Sequence, residues 1–312
     1  MLPAFLCTLL FSVSAISANR SVAHLGSNLA NVSRLTLACL IMGIVAWIIG
    51  VWPGWTVWTI FFISGIVGFG FGDIGVFYAL PRLGSRLTIL YTQCIAAPIA
   101  GIVEWIWLGT SLSMAQIICA VVTLSGVAIA LDPWHTRNLK RDKLISGSLF
   151  GLLAAAGQGM GAVISRYGYD TAHSAGVELP AMTAAFFRII GGILIAWAAW
   201  GIGNWFIRRK RSAAFDKSEI NEPTLLKWKA SHVKTFVLIN ALTGPVLGVA
   251  CFQWALGVRP SFVVLPIVAL SPIVAIPLTR IWENDRPSLI SLIGAVISVV
   301  GAAALSLVTI LP

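Results

Sequence analysis

The sequence predicts an all-α integral membrane protein, with ten transmembrane helices arranged as a 5+5 inverted repeat around a central cavity. Three observations carry that prediction. The 312 residues are 58% hydrophobic and only 10% charged, with a mean hydropathy of +0.91, whereas soluble domains carry about 25% charged residues. The apolar residues fall into ten runs, each near the roughly 20 helical residues that cross a hydrocarbon core. The second half of the chain also resembles the first, which gives each copy five spans.

The first run, 2–19, reads LPAFLCTLLFSVSAISA and ends in small residues. A cleaved signal peptide has that shape, but no positively charged leader precedes this one, and cleavage would leave an odd number of spans. Runs 34–52 and 56–80 follow. The third holds SGIVGFGFGDIGVFYAL, in which Gly70, Gly72 and Gly75 match a dinucleotide-phosphate pattern. That pattern works only between a strand and a helix of a βαβ unit, so nucleotide binding is excluded. Spacing explains the glycines better. Gly68 and Gly72 are four apart, as are Gly157 and Gly161 in run 144–165, and Gly244 and Gly248 in run 234–256. Small residues at that spacing share a helix face and let backbones approach closely in lipid. Runs 86–108 and 261–282 contain Pro98, Pro272 and Pro277, which set helix shape or free a carbonyl one turn earlier. Runs 112–131, 180–206 and 288–311 complete the set.

The duplication shows in matched order. Gly68, Gly72, Ala79, Leu80 and Ser85 each stand 176 residues before Gly244, Gly248, Ala255, Leu256 and Ser261. GTSLSMAQIICAVVTLSGVAIA (109–130) aligns without gaps on NDRPSLISLIGAVISVVGAAAL (284–305), and Arg34 pairs with Arg188. The predicted units are residues 1–131 and 144–312, joined by a basic connection at 132–143, with a basic loop at 207–233 inside the second. Because five is odd, the second unit enters the membrane from the opposite face. In secondary transporters that arrangement places the substrate site near the midplane.

Connections after spans 1, 3, 5, 7 and 9 hold 18 Lys and Arg residues against two in the others. Excess Lys and Arg mark the cytoplasmic side. The basic connections are therefore assigned to the cytoplasm and both termini to the outside of a plasma (cell inner) membrane. The 207–233 loop fixes orientation and meets anionic lipid head groups. Topology accounts for the net charge of +10, so no nucleic-acid partner is expected. Cys7, Cys39, Cys94, Cys119 and Cys251 are scattered one per span, and no histidine has a partner at metal-ligand spacing. No cofactor and no metal are expected.

Asp73 lies inside the third span, where a carboxylate costs roughly 2.5–3.5 kcal/mol on insertion scales. Arg34 and Arg280 lie toward the same face and are its candidate partners; Glu104 and Arg188 form a second candidate pair. Each acid is open to three readings: a structural ion pair, substrate or proton handling, or interfacial placement. The uncharged candidates for substrate contact are Gln93, Gln158, Asn240 and Gln253, with Tyr78, Tyr91 and Trp254, although each residue type also serves helix packing.

FYALPRLGS (77–85), QCIAAPIAGIVEWIWLG (93–109) and SLSMAQIICAVVTLSGVAIAL (111–131) have counterparts in FQWALGVRPS, IVALSPIVAIPLTRIWE and SLIGAVISVVGAAAL. Together these segments resemble the EamA-like family of the drug/metabolite transporter superfamily, twice over. The resemblance implies two EamA-like repeats, a secondary transporter exporting a small metabolite such as an amino acid, and no enzymatic activity. It also implies a cavity formed by the first, third and fourth spans of each half, which favours Gln93, Gln158, Asn240 and Gln253. Two features depart from the family pattern. The glutamate common at the ends of spans 4 and 9 is replaced by Thr110 and Asp285, with Glu104 and Glu283 displaced, so carboxylate-driven proton exchange is not implied. Relatives are also usually drawn with cytoplasmic termini, against the charge count here. The rival functions are a non-transporting scaffold or receptor, and a membrane-embedded enzyme, for which the spans offer no acid, base or metal constellation.

Overall fold

A computed structural model describes residues 2–108, 113–130, 141–213, 231–259, 261–284 and 287–310. Every regular element among them is helical. Apolar runs this long have no alternative as single segments in lipid, where backbone N–H and C=O groups must find partners within the segment.

Helices α1 (Leu2–Leu25) and α2 (Ser27–Ile49) are separated by Gly26 at φ 77°. Helix α3 (Trp55–Gly65) runs into a π-helix, π1 (Ile66–Gly72), and then α4 (Asp73–Cys94). Helices α5 (Ala96–Leu108), α6 (Met114–Ala130), α7 (Arg141–Ser174) and α8 (Ala181–Ala213) follow. Next come α9 (Ser231–Ala241), a second π-helix, π2 (Leu242–Val246), and α10 (Leu247–Val258). Helices α11 (Ser261–Val268), α12 (Ser271–Trp282) and α13 (Leu289–Ile310) end the described chain.

Each of the ten apolar runs carries helix. Six of the described helical stretches are long and apolar enough to cross a membrane, and one of them, Trp55–Trp107, is 53 residues long. At 1.5 Å per residue it would reach about 80 Å, far beyond one crossing. It is broken at Gly84, whose φ of 75° and ψ of 171° are not helical. That glycine falls between the third and fourth apolar runs. Large apolar side chains such as Trp47, Ile106 and Ile281 point outward, while Ser12, Ser64, Asn240 and Gln253 are buried. This is the surface of a multi-pass membrane protein, apolar toward lipid.

Two features recur at matched positions. π1 begins at Ile66 and π2 at Leu242, 176 residues apart, the interval that relates Gly68 to Gly244. The helix also breaks at Ile95 and at Ala269–Leu270, so Pro98 and Pro272 sit in the first turn of the helices that restart there. In a first turn the missing proline N–H has no intrahelical partner to lose. These two prolines therefore follow breaks and do not bend a continuous span; only Pro277 lies deeper, inside α12.

The helices pair antiparallel through small residues. Gly126, Ala130 and Thr123 of α6 meet Ser298, Gly294 and Gly301 of α13. Along α7, Gly161, Gly157 and Ala154 meet Gly68, Gly72 and Gly75 in turn. A Cβ built on Gly157 would stand 2.5 Å from the Gly72 Cα, so here backbone lies directly on backbone.

Candidate functional site

A cavity of about 100 Å³ lies between elements of both halves of the chain. Its charged wall begins with Arg34, eight residues into α2 and 6% exposed. The guanidinium lies 4.7 Å from the centre of the Phe77 ring. Its Nε donates to Asn31 Oδ1 at 3.2 Å, and Nη2 forms an ion pair with the Asp73 carboxylate. Asp73 is the first residue after π1. Gly244 of π2 makes room for this pair: a Cβ there would stand 3.2 Å from Arg34 Nη1 and 2.5 Å from Ser14 Oγ. Ser14 in turn donates to Asn240 Oδ1 at 2.9 Å.

Arg188 of α8 is placed the same way on the other half. Its Nη2 lies 2.7 Å from where a Cβ on Gly68 of π1 would be, and 3.2 Å from one on Gly161. The Phe69 ring lies 5.4 Å from its guanidinium carbon. Each span-2 arginine thus docks on the glycine-bearing π-helix of the opposite half. A π-turn carries an extra residue and re-aims the side chains around it, and such turns concentrate at functional sites.

Three uncharged candidates, Gln93, Gln158 and Asn240, line this cavity with Arg34, Asp73 and Arg188. Gln93 Oε1, Gln158 Nε2 and Asn240 Nδ2 are buried without a hydrogen-bond partner. The other four lie elsewhere. Gln253 and Trp254 border a second, wider pocket of about 760 Å³ with Tyr169 and His173. Tyr78 stacks on Phe150 with ring centres 5.1 Å apart, and Tyr91 donates to Ser148 at 2.9 Å. Both tyrosines are turned toward α7, because consecutive faces of α4 serve the cavity and that helix.

The charged candidates are also rearranged. Glu104 does not pair with Arg188; it accepts a hydrogen bond from Ser261. The reason is steric: Gly68 and Gly161 open a hole in the interior that takes the Arg188 side chain away from Glu104. Arg280 is exposed and does not reach Asp73. Arg34 is buried within α2 and does not lie in a connection. Gly68 and Gly244 border the cavity, Gly72, Gly157 and Gly161 form the seam with α7, and Gly248 abuts Phe11. Thr110, Asp285, 132–140 and 214–230 lie outside the described residues.

Sequence reasoning missed the serine–glutamate contacts. Ser85 donates to Glu283, which also accepts from Asn19 Nδ2 at 3.0 Å, and Ser261 donates to Glu104. The one signal was the 176-residue interval between Ser85 and Ser261, which marked them as equivalent without showing their use.

The profile described as the EamA-like transporter family matches residues 1–131 and 145–307. No curated protein matches. A protein of known crystal structure, 20% identical, superposes with a TM-score of 0.61 over 98% of this chain and 96% of its own. At that identity the likeness concerns the fold alone.

Proposed function

The chain belongs to the EamA-like transporter family, and from that premise we propose that it is a secondary transporter exporting a small polar or amphipathic metabolite, an amino acid being one example. In this reading ten spans form two inverted EamA-like repeats of five, bounded as 1–131 and 144–312, and the solute moves by alternating access. The single observation that carries the reading is the cavity. Its walls come from both halves, and buried polar groups face it with unused hydrogen-bonding capacity. Buried polar groups in lipid-spanning helices are expensive and mark solute pathways.

The two serine–glutamate contacts give the cycle its geometry. Ser85 and Glu104 stand 19 residues apart along one interrupted span, about 29 Å at helical rise. The span containing Ser261 and Glu283 is tied to it at both ends. In this reading each tie holds one end of the bundle together. A metabolite then enters when one tie opens and the cavity, about 100 Å³ here, widens. Basic connections facing the cytoplasm and anionic lipid would place both termini outside the plasma membrane.

The test is flux. Purified protein in proteoliposomes is screened against small metabolites, with and without a pH gradient. Solute-specific counterflow is expected; its absence for every solute, with no ligand raising Tm, would return the chain to the scaffold reading. For orientation, a reporter fused after Pro312 should be active outside the cytoplasm, and activity inside would reverse the assignment.

A further inference from the structure

Arg34 and Arg188 both face the cavity, yet Asp73 is the only carboxylate among its lining residues. Asp73 is committed to Arg34 by their ion pair. It lies within electrostatic reach of Arg188 as well, but one carboxylate cannot neutralise two guanidinium groups. Arg188 is 3% exposed, and its Nε has no partner. Among the described residues nothing accepts a hydrogen bond from its guanidinium. Its neighbours include the Phe69 ring and the bare backbones of Gly68 and Gly161, and the Tyr169 hydroxyl lies within electrostatic reach. A guanidinium stays protonated, donates five N–H bonds and accepts none. Buried without a counter-charge, it is strongly disfavoured.

The duplicated sequence shows where the missing acid would stand. Val249 lies 176 residues after Asp73, at the interval relating Gly68 to Gly244, and it too lines the cavity. Arg34 has its carboxylate, whereas the position equivalent to Asp73 in the second half is a valine. Gln158 Nε2 and Asn240 Nδ2 add two unpartnered donors on the same walls.

We propose that Arg188 is the anion-recognition residue of this cavity, and that the substrate is a small molecule with a single carboxylate that fills the place an acid at position 249 would take. The carboxylate receives two parallel N–H···O bonds from the guanidinium, with Gln158 and Asn240 within the same cavity to supply further donors. One negative charge brings the cavity to neutrality; a cation or a dianion leaves it charged. This rests on the cavity being the transport site.

The experiment is binding to the purified full-length chain in detergent, by titration calorimetry and by shift in Tm. The probes are small monocarboxylates, each matched with its carboxamide and its amine. Wild type is expected to bind at least one carboxylate about tenfold or more tightly than its matched amide and amine. Arg188→Gln should lose that factor while amide binding stays level, and Arg188→Lys should keep part of it. Should Arg188→Gln fail to fold, Val249→Asp decides: its carboxylate pairs with Arg188 in cis and should abolish the preference. Absence of carboxylate binding, equal binding of amide or amine, or an intact preference in Arg188→Gln or Val249→Asp overturns the proposal. Flux separates the two readings. Arg188-dependent carboxylate binding without flux supports the anion site and sinks the transporter, whereas flux of neutral or cationic probes alone does the reverse.

Discussion

Arg34 and Asp73 form an ion pair inside the helix bundle, with side chains 7% and 13% exposed. Removing one member of such a pair strands the other charge, at a cost of about 3–5 kcal/mol, whereas replacing both with apolar residues is often neutral. Asp73→Asn should therefore lower Tm sharply, and Arg34→Met combined with Asp73→Leu should recover most of the loss. A double variant as unstable as Asp73→Asn would show that the pair does more than satisfy itself. The same Asp73→Asn protein tests coupling, because a pH dependence of flux that survives the change removes Asp73 from any proton role. The sequence revealed these residues readily, since a charge inside an apolar run is conspicuous. It named Arg34 as one of two candidate partners for Asp73, which the structure bears out, but it paired Arg188 with the wrong acid. Which way Arg188 turns depends on a hole left by Gly68 and Gly161, two glycines on different helices, and linear spacing carries no record of that.

At the scale of elements, some glycines are pressed by backbone and others have nothing near them. Gly157 of α7 has no room for a methyl group beside Gly72, and forcing one in costs about 1–3 kcal/mol. Gly201 of α8 has nothing within 4 Å of an added Cβ. There alanine removes only the entropic penalty of glycine and stabilises by up to about 1 kcal/mol. Gly157→Ala should lower Tm and Gly201→Ala should hold or raise it; equal effects would mean that α7 and π1 do not rest on each other. The apolar runs marked where helices lie, and α7 extends its run, 144–165, to Arg141–Ser174. The π-turns and the breaks at Ile95 and Leu270 were not legible. A run of apolar residues has the same composition whether its hydrogen bonds close four or five residues back, so only packing against the arginines reveals the change.

For the whole molecule, the reciprocal contacts make a prediction that a one-sided gate does not. Ser85 and Ser261 are each fully buried and each donates to a glutamate of the other half, at ends of the bundle about 29 Å apart. A hydrogen bond to a charged group contributes about 1.5–3 kcal/mol. Losing one tie should shift the balance between outward-open and inward-open states about tenfold or more, and losing the other should shift it in the opposite sense. The shift can be read at Thr92, which lines the cavity, as a cysteine in a chain whose five native cysteines are replaced. A membrane-impermeant thiol reagent is applied to right-side-out and inside-out vesicles. With Ser261→Ala, labelling of Thr92→Cys should rise from the face bearing Glu104; with Ser85→Ala, it should rise from the face bearing Glu283. Both variants opening the same face would mean that the two ties are not equivalent, and the inverted-repeat mechanism would lose its symmetry. Labelling unchanged in both would reduce the serines to packing residues, since a tie that holds a closed end cannot be cut without opening that end.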